Sequence, residues 1–131
     1  MRWLAIFVWI MLACGPSGPA PAREHDADDA QNGTAIEVHV GDRVRVMLDS
    51  TAWTFDGSTD PEVLQQVGAQ QTSPAPPSAC VAGGGCGTST ADFRALKGGS
   101  ATIHASRVSC GEALACVGAE GTYALTVLVA S

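Results

Sequence analysis

From residue 36 onward, apolar and polar positions alternate along this chain with a period of two. In residues 36–40 and 43–48 every second side chain is apolar, and Gly41-Asp42 between them signals a turn. Such an alternation gives a strand one face for a core and one for water. The same alternation recurs in residues 53–55, 91–95, 101–105 and 123–129. Residues 63–67 also predict a short strand. About seven short strands without helical periodicity predict an all-β protein, an antiparallel β-sandwich.

One segment interrupts this alternation. Residues 72–87 are rich in Pro, Gly and Ser and predict a long loop. Asp60-Pro61-Glu62 predicts a turn or a single helical turn, since proline is favoured early in such turns. Alanine fills many of the inward positions, so the predicted core is lean and would benefit from covalent cross-links.

The N-terminal residues have a different pattern, which is typical of a secretion signal. Basic Met1-Arg2 precedes an apolar run of about 11 residues, whereas a membrane-spanning helix needs roughly 20. We therefore predict that residues 1–13 are a signal peptide. Met11-Leu12-Ala13-Cys14 resembles the lipobox of bacterial lipoprotein signals, whose cysteine is acylated.

This resemblance implies export to the bacterial cell envelope, with Cys14 anchored to a membrane through lipid. The alternative is an ordinary signal cleaved near Ala20 or Ala22, which would discard Cys14. Residues 14–34 predict a flexible acidic linker rich in Pro and Gly, because they offer too little apolar surface to offset the entropy of ordering. The predicted β-sandwich domain then spans residues 35–131.

Four further cysteines form two pairs, and each pair encloses five residues: Cys80 with Cys86, and Cys110 with Cys116. An even number of cysteines in a small exported domain indicates disulfides. We favour these two local disulfides, while a cross-link between the two loops stays open. Zinc usually requires closer ligand spacing, so we predict no metal at these cysteines.

Charge and motifs limit the remaining chemistry. The formal net charge of −6 gives the chain no electrostatic footprint for nucleic acid or an anionic lipid surface. No serine lies in a Gly-x-Ser-x-Gly elbow, and Gly83-Gly84-Gly85 lacks the Lys-Ser/Thr pair of a phosphate loop. We predict no catalytic residues and no cofactor, and hence a protein that is not an enzyme.

Several other groups of polar residues could form sites, but for each of them a solvent-exposed surface is the favoured interpretation. A metal bridged by His39 and His104 across the sheet is less favoured than two exposed strand histidines. A linker without fixed geometry is a poor metal site, and loop carboxylates without a cleft are poor hydrolase pairs. These linker and loop groups are His25-Asp26 with Asp28-Asp29, Asp56 with Asp60, and Glu112 with Glu120.

Two segments resemble the chagasin-like protease-inhibitor domains. Residues 41–46 (GDRVRV) resemble the opening of those domains, and residues 93–103 (FRALKGGSATI) resemble their central motif of two strands around a glycine turn. Residues 122–129 are similar to their last strand, so the resemblance spans roughly residues 36–129. It implies an immunoglobulin-like sandwich and three loops at one end that inhibit papain-like cysteine proteases.

The loops of this chain depart from the pattern of that family. The family's first loop carries Asn-Pro-Thr-Thr-Gly, where this chain has Asp49-Ser50-Thr51-Ala52-Trp53, and Trp53 matches the family's core tryptophan. The family's third loop carries Arg-Pro-Trp, where this chain has Arg107-Val108-Ser109, so only Arg107 transfers. The resemblance therefore implies the fold more strongly than the inhibitory residues.

The leading hypothesis from the sequence is an exported, lipid-anchored, non-catalytic binding domain that presents disulfide-stiffened loops to an unknown protein partner. One alternative is an inhibitor of papain-like cysteine proteases through residues 49–58, the loop between Cys80 and Cys86, and residues 107–116. Another is a purely structural envelope lipoprotein. The candidate binding residues are Thr51, Trp53, Arg107 and Glu112.

Overall fold

The computed structural model describes Gly15, Gly18 and residues 21–80, 84–111 and 114–131. The predicted signal peptide and Cys14 lie outside the described residues. In the described part, the chain forms nine strands and three short 3-10 turns, without an α-helix, and no helix there could span a bilayer. The strands are β1 (Glu24–Ala27), β2 (Ala35–His39), β3 (Arg43–Asp49), β4 (Thr54–Ser58), β5 (Leu64–Gln66), β6 (Gln71–Pro74), β7 (Gly87–Ala95), β8 (Gly99–Ser106) and β9 (Thr122–Ala130).

These strands form two sheets around one core, which confirms the predicted immunoglobulin-like β-sandwich. One sheet has the order β1-β3-β7-β5, with β6 also paired to β7, and the other has the order β2-β9-β8-β4. Most pairs are antiparallel, as predicted, but β1 pairs parallel to β3 and β2 pairs parallel to β9. The parallel pair β1–β3 arises because the chain reverses twice, crossing to β2 in the other sheet before it returns.

The core follows the alternation of the sequence. On β3, Val44, Val46 and Leu48 are fully buried, while Met47 faces outward. The longest strands, β7 and β9, bury every second residue in the same way. The two sheets meet at aromatic side chains such as Phe55 and Phe93, whose ring centroids lie 6.4 Å apart. Fully burying an aliphatic or aromatic side chain contributes about 1.5–3 kcal/mol, so these inward rows supply most of the driving force.

The folded domain begins earlier than the sequence predicted, because part of the predicted linker is strand β1. Only Ala27 of this strand is buried, so apolar burial explains little of it. Arg45 on β3 instead attaches the strand, with its guanidinium 3.1 Å from Glu24 and 2.9 Å from Asp92 of β7. These carboxylates raise the pKa of Arg45, led by the hydrogen bond to Asp92. Backbone pairing and this charge network order a segment whose composition is typical of disorder.

Asp42 fastens the start of β1 to the turn between β2 and β3. Asp42 as a whole residue is only 3% exposed, and its carboxylate accepts the backbone N–H groups of Arg23 and His39, each at 3.0 Å. His25 Nε2 lies 2.9 Å from the same carboxylate. These hydrogen bonds lower the pKa of Asp42 to about 2, with the Arg23 N–H as the largest cause, although burial acts in the opposite direction.

The predicted long loop of residues 72–87 also contains strand structure. Its first residues belong to β6, an exposed strand at the edge of β7. Just before β6, the Gln70 side chain bridges to the other sheet, accepting from Phe55 N–H at 2.7 Å and donating to the Trp53 carbonyl at 2.9 Å. All four residues of β6 are exposed. Because none of them is buried, the strand shows no apolar alternation in the sequence and is held by backbone pairing alone.

Candidate functional site

Three connections of the sandwich lie at the same end of the molecule, which we call the loop pole. They are residues 50–53 between β3 and β4, residues 75–86 between β6 and β7, and residues 107–121 between β8 and β9. Strand register places them together, since Asp49 at the end of β3 pairs with Thr88 at the start of β7. In the other sheet, Ser106 at the end of β8 pairs with both Thr54 and Thr122.

The first and second loops are joined by backbone hydrogen bonds. Ser50 N–H donates to the Gly87 carbonyl and Thr51 N–H donates to the Gly85 carbonyl, each at 2.8 Å. The buried Ser89 hydroxyl donates to the Ser50 carbonyl at 2.9 Å. Because two of these three bonds run between main chains, they fix the relative positions of the two loops while occupying only the Ser89 side chain.

Ser50 has an unusual backbone conformation. Among the described residues it is the one non-glycine residue with a positive φ, 110°. A residue held in such a sparsely populated region costs about 1–3 kcal/mol and persists only where neighbouring contacts enforce it. Its hydroxyl accepts the Ala52 N–H at 3.1 Å, which tightens the turn. The first loop is therefore held in one conformation.

Each of the other two loops is closed by a disulfide. The bonds join Cys80 to Cys86 and Cys110 to Cys116, with Cα–Cα distances of 5.9 Å and 4.9 Å. This confirms the local pairing that the cysteine spacing favours over a cross-link between the loops. In the second loop, Ala75 N–H also donates to the Cys86 carbonyl at 3.0 Å. Both disulfides therefore stiffen loops and leave the core without a covalent link.

The third loop begins and ends as a short hairpin that extends beyond the sheet. Ser109 and Ala115 form an isolated antiparallel bridge, and Cys116 N–H donates to the Val108 carbonyl at 3.0 Å. Gly121 closes the base of this hairpin, where a Cβ atom would lie only 2.7 Å from the Arg107 carbonyl oxygen. The close approach explains why glycine occupies this position.

Arg107 links the third loop to the first. Its guanidinium carbon lies 4.5 Å from the centroid of the Trp53 ring, and its Nε donates to the Glu120 carbonyl at 2.9 Å. Trp53 is itself fixed, because it is only 4% exposed and its indole N–H donates to the Asp49 carbonyl at 3.0 Å. Cation–π contact and hydrogen bond together hold the base of the third loop against the first.

The third loop also exposes a set of apolar side chains that the sequence analysis missed. Val108, Leu114 and Val117 have exposed fractions of 87%, 64% and 75%. We call these three side chains the apolar tip. The sequence does contain a signal for them, because Val108 and Val117 lie just outside the Cys110–Cys116 pair and Leu114 lies within it, in a segment that offers no strand alternation to bury them.

The structure brings three of the four predicted binding residues to the loop pole. Trp53 and Arg107 are in contact, and Thr51 is half-buried beside the second loop. Glu112 lies outside the described residues. Trp53 supports the loops from below, as the family resemblance implies. The Arg107 side chain contacts Trp53, and the backbone N–H of Thr51 donates to the second loop.

The structure does not bring together the residues of the alternative metal sites. His39 pairs across from Ala130 and His104 across from Ala124, at opposite parts of β9, so they lie about 20 Å apart at 3.3 Å per residue. In the segment that the sequence predicted to be a linker, His25 contacts Asp42, and the Asp29 carboxylate accepts the Asp49 N–H at 2.9 Å. Within the described part of the chain, no three His, Cys, Asp or Glu side chains are grouped as metal ligands.

A groove on the outer face of the five-stranded sheet is a poorer candidate than the loop pole. It encloses about 420 Å³ and its lining includes Arg45, Met47 and Asp92. Arg45 and Asp92 are paired with each other, so the groove offers few free charged groups to a ligand. The loop pole, in contrast, presents side chains that the fold leaves without a packing role.

Comparison with solved structures agrees with this architecture. Amebosin, known from a solution structure, superposes with a TM-score of 0.57 at 18% identity, covering 85% of this chain and all of that one. The cysteine protease inhibitor EhICP2 from Entamoeba histolytica superposes with a TM-score of 0.55 at 12% identity, covering 88% of this chain and all of that one. At these identities the likeness shows that this chain shares the fold of the two proteins. No protein-family model and no curated protein matches the chain.

Proposed function

We propose that this protein is a non-catalytic inhibitor of papain-like cysteine proteases and that it binds them through the loop pole. The observation that carries the proposal is the convergence of three loops, drawn from both sheets, that are fastened to one another. Thr51 N–H on the Gly85 carbonyl joins the first two, and Arg107 on Trp53 joins the third. A similar fold in a cysteine protease inhibitor supports this choice of partner.

A preformed set of loops suits this role because inhibition requires only tight occupation of the protease cleft. Ordering loops and side chains on binding reduces affinity, and loops that are already rigid avoid that cost. Two disulfides and the hydrogen bonds of Ser50 provide such rigidity. No covalent step is needed.

The loop sequences of this chain differ from the family pattern at the positions that would contact a protease. The first loop lacks the Asn-Pro and Gly of the family pattern, and the third has Val108-Ser109 where Pro-Trp is usual. Recognition must therefore use different side chains on the same scaffold, so the range of proteases inhibited should differ from that of the family pattern.

An inhibition assay tests the proposal directly. Full-length purified chain is titrated against papain with a fluorogenic peptide substrate, and we expect reversible inhibition that is competitive with the substrate. The matched control is the serine protease trypsin, which has a different active-site cleft and should not be inhibited. No inhibition of papain at micromolar concentrations would contradict the proposal.

We also propose that the chain acts outside the cytoplasm, anchored through lipid on Cys14. The support is the lipobox-like Met11-Leu12-Ala13-Cys14 and the two disulfides of the domain, which persist in oxidising compartments. Metabolic labelling with a radioactive fatty acid should mark the wild-type chain but not Cys14→Ser. Equal labelling of both would contradict the anchor.

A further inference from the structure

We propose that Arg43 and Arg94 form a binding site for a phosphate group on the outer face of the five-stranded sheet. The site lies at the end of the sheet opposite the loop pole, because Arg43 begins β3 and Arg94 is next to the last residue of β7. Phosphate binding there is separate from the proposed inhibition of a protease and does not depend on it.

The first argument is that two like charges face each other across neighbouring strands. Arg43 of β3 pairs directly with Arg94 of β7 in the antiparallel register. Directly opposite side chains have Cβ atoms about 4.5–5.5 Å apart, and like charges at such positions destabilise a sheet. Arg43 is half-buried and Arg94 is exposed, so both remain accessible to a ligand. An anion between the two guanidinium groups would replace their repulsion with two attractive contacts.

The second argument is that the nearby carboxylates surround a third arginine. The guanidinium of Arg45 lies 3.1 Å from Glu24 and 2.9 Å from Asp92, and Asp26 is directly opposite Arg45 on β1. By contrast, neither arginine of the proposed site has an ion pair or a side-chain hydrogen bond within the described part of the chain. Two positive charges therefore stay unpaired here, although the chain as a whole has a net charge of −6.

The third argument concerns which anion fits two arginines. A phosphate monoester carries about −1.5 to −2 charges at neutral pH and has three acceptor oxygens, so it can match both guanidinium groups. A carboxylate carries one negative charge and would leave the second arginine uncompensated. The planar guanidinium also suits bidentate recognition of phosphate. Gln65, which is exposed and lies opposite Arg94 on β5, adds an amide group that can donate to the same ligand.

Thermal unfolding in inorganic phosphate tests the site on the full chain. A ligand that binds only the folded state raises the melting temperature. Wild type should therefore melt at a higher temperature in sodium phosphate than in sodium chloride of equal ionic strength, and Arg43→Gln with Arg94→Gln should lose most of this shift. The matched control, Arg23→Gln with Lys97→Gln, removes the same number of charges at exposed positions and should retain the shift.

Titration followed by NMR gives a second readout that does not depend on stability. Phosphate should shift the Nε–H resonances of Arg43 and Arg94, and replacing either arginine by glutamine should raise the dissociation constant at least about fivefold. Acetate serves as the carboxylate probe and should bind more weakly than phosphate. Acetate that binds as tightly as phosphate would overturn the choice of ligand, and unchanged phosphate binding in the variants would overturn the site.

The phosphate group has two possible sources, which separate probes distinguish. Inorganic phosphate represents soluble phosphate esters, and phosphatidylcholine vesicles containing phosphatidic acid represent a lipid headgroup. The vesicle experiment measures cosedimentation of Cys14→Ser chain, so that no acyl chain on the protein contributes, with pure phosphatidylcholine vesicles as the control. Binding to inorganic phosphate supports a soluble ligand. Binding to the phosphatidic acid vesicles alone, lost in the Arg43, Arg94 variant, supports a lipid.

The remaining outcomes contradict the inference. Binding of wild type to neither probe, or equal binding by the Arg43, Arg94 variant, would overturn the phosphate site. None of these measurements involves papain, so a chain that fails to bind phosphate can still inhibit the protease, and a chain that fails to inhibit can still bind phosphate. The two proposals therefore stand or fall separately.

Discussion

Arg107 combines two contacts that few other side chains could make together. Its guanidinium lies over the Trp53 ring while its Nε donates to the Glu120 carbonyl. The planar, delocalised guanidinium can stack and donate at the same time, whereas the lysine ammonium is a compact charge without a planar fork. The charge of Arg107 therefore matters less than its shape.

Replacement of Arg107 by lysine tests this role. We expect Arg107→Lys to lower the free energy of unfolding by about 0.5–1 kcal/mol and to speed amide hydrogen exchange in residues 107–121. Exchange mass spectrometry measures the loop, and urea denaturation measures stability. Arg94→Lys, at an exposed position on β7, is the control and should change neither. Unchanged exchange in the third loop of Arg107→Lys would contradict the supporting role.

Asp42 makes the stability of the domain depend on pH in the acid range. Its pKa is lowered from 3.8 to about 2, mainly by the Arg23 N–H. A carboxyl group with a lowered folded pKa contributes its full stabilisation above the unfolded pKa and loses it as pH falls through the folded pKa. The contribution of Asp42 is therefore complete at neutral pH and disappears between about pH 4 and pH 2.

Asp42→Ala should remove this contribution and leave two backbone N–H groups without their acceptor. We expect the free energy of unfolding at pH 7 to fall by about 1–3 kcal/mol and the variant to lose less further stability than wild type on acidification. Urea denaturation at a series of pH values measures both. Asp56→Ala, at an exposed carboxylate on β4, should retain the wild-type dependence, and parallel acid profiles for wild type and Asp42→Ala would refute the assignment.

At the scale of elements, the strands that bury apolar side chains were predictable, and the two strands that bury almost none, β1 and β6, were not. Seven strands, β2–β5 and β7–β9, show apolar alternation or a short apolar run, because their inward-facing side chains form the core. By contrast, β1 buries only Ala27 and β6 buries nothing. Their stability comes from backbone pairing with β3 and β7, which are distant in sequence.

The candidate site was also predictable only in part from the sequence. Cysteine spacing predicted both loop disulfides, and the family resemblance predicted that three loops share one end. Neither could show that Arg107 stacks on Trp53, since that contact depends on the pairing of β4 with β8, which are distant in sequence. The apolar tip was missed because an exposed valine cannot be distinguished from a buried one by composition alone.

The core should determine whether the domain folds, whereas the two disulfides should determine the conformation of their loops. Closing so short a loop stabilises a domain by roughly 2 kcal/mol in the chain-entropy model, less than the ~5–15 kcal/mol typical of domains. Cys110→Ser with Cys116→Ser should therefore remain folded by circular dichroism. The inhibition constant for papain should nevertheless rise at least about tenfold, because the third loop is no longer held in one conformation.

The companion variant, Cys80→Ser with Cys86→Ser, separates the two loops. It should lose a similar amount of stability, but the third loop should exchange amide hydrogens as slowly as in wild type. If removal of Cys110 and Cys116 left inhibition unchanged, rigidity of the third loop would not be needed for binding.

At the scale of the whole molecule, the loop pole and the start of the domain lie at opposite ends. Arg23 is hydrogen-bonded to Asp42 at the beginning of β3, and the first loop follows the other end of that strand. Seven residues of strand span about 20 Å. The last strand, β9, ends beside His39 at the Asp42 end as well. A tether attached ahead of Arg23 thus leaves all three loops facing away from its attachment point.

This polarity predicts how the proposed anchor affects inhibition. Wild-type chain in vesicles and soluble Cys14→Ser chain should inhibit added papain with inhibition constants that agree within about twofold. An anchor moved to follow Ser131 should behave in the same way, because Ala130 lies at the Asp42 end. An anchor inserted between Ser78 and Ala79, in the second loop, should abolish inhibition by turning the loop pole towards the bilayer. Inhibition by soluble Cys14→Ser that is lost in the wild-type vesicles would contradict this orientation, since the loops would then face the membrane.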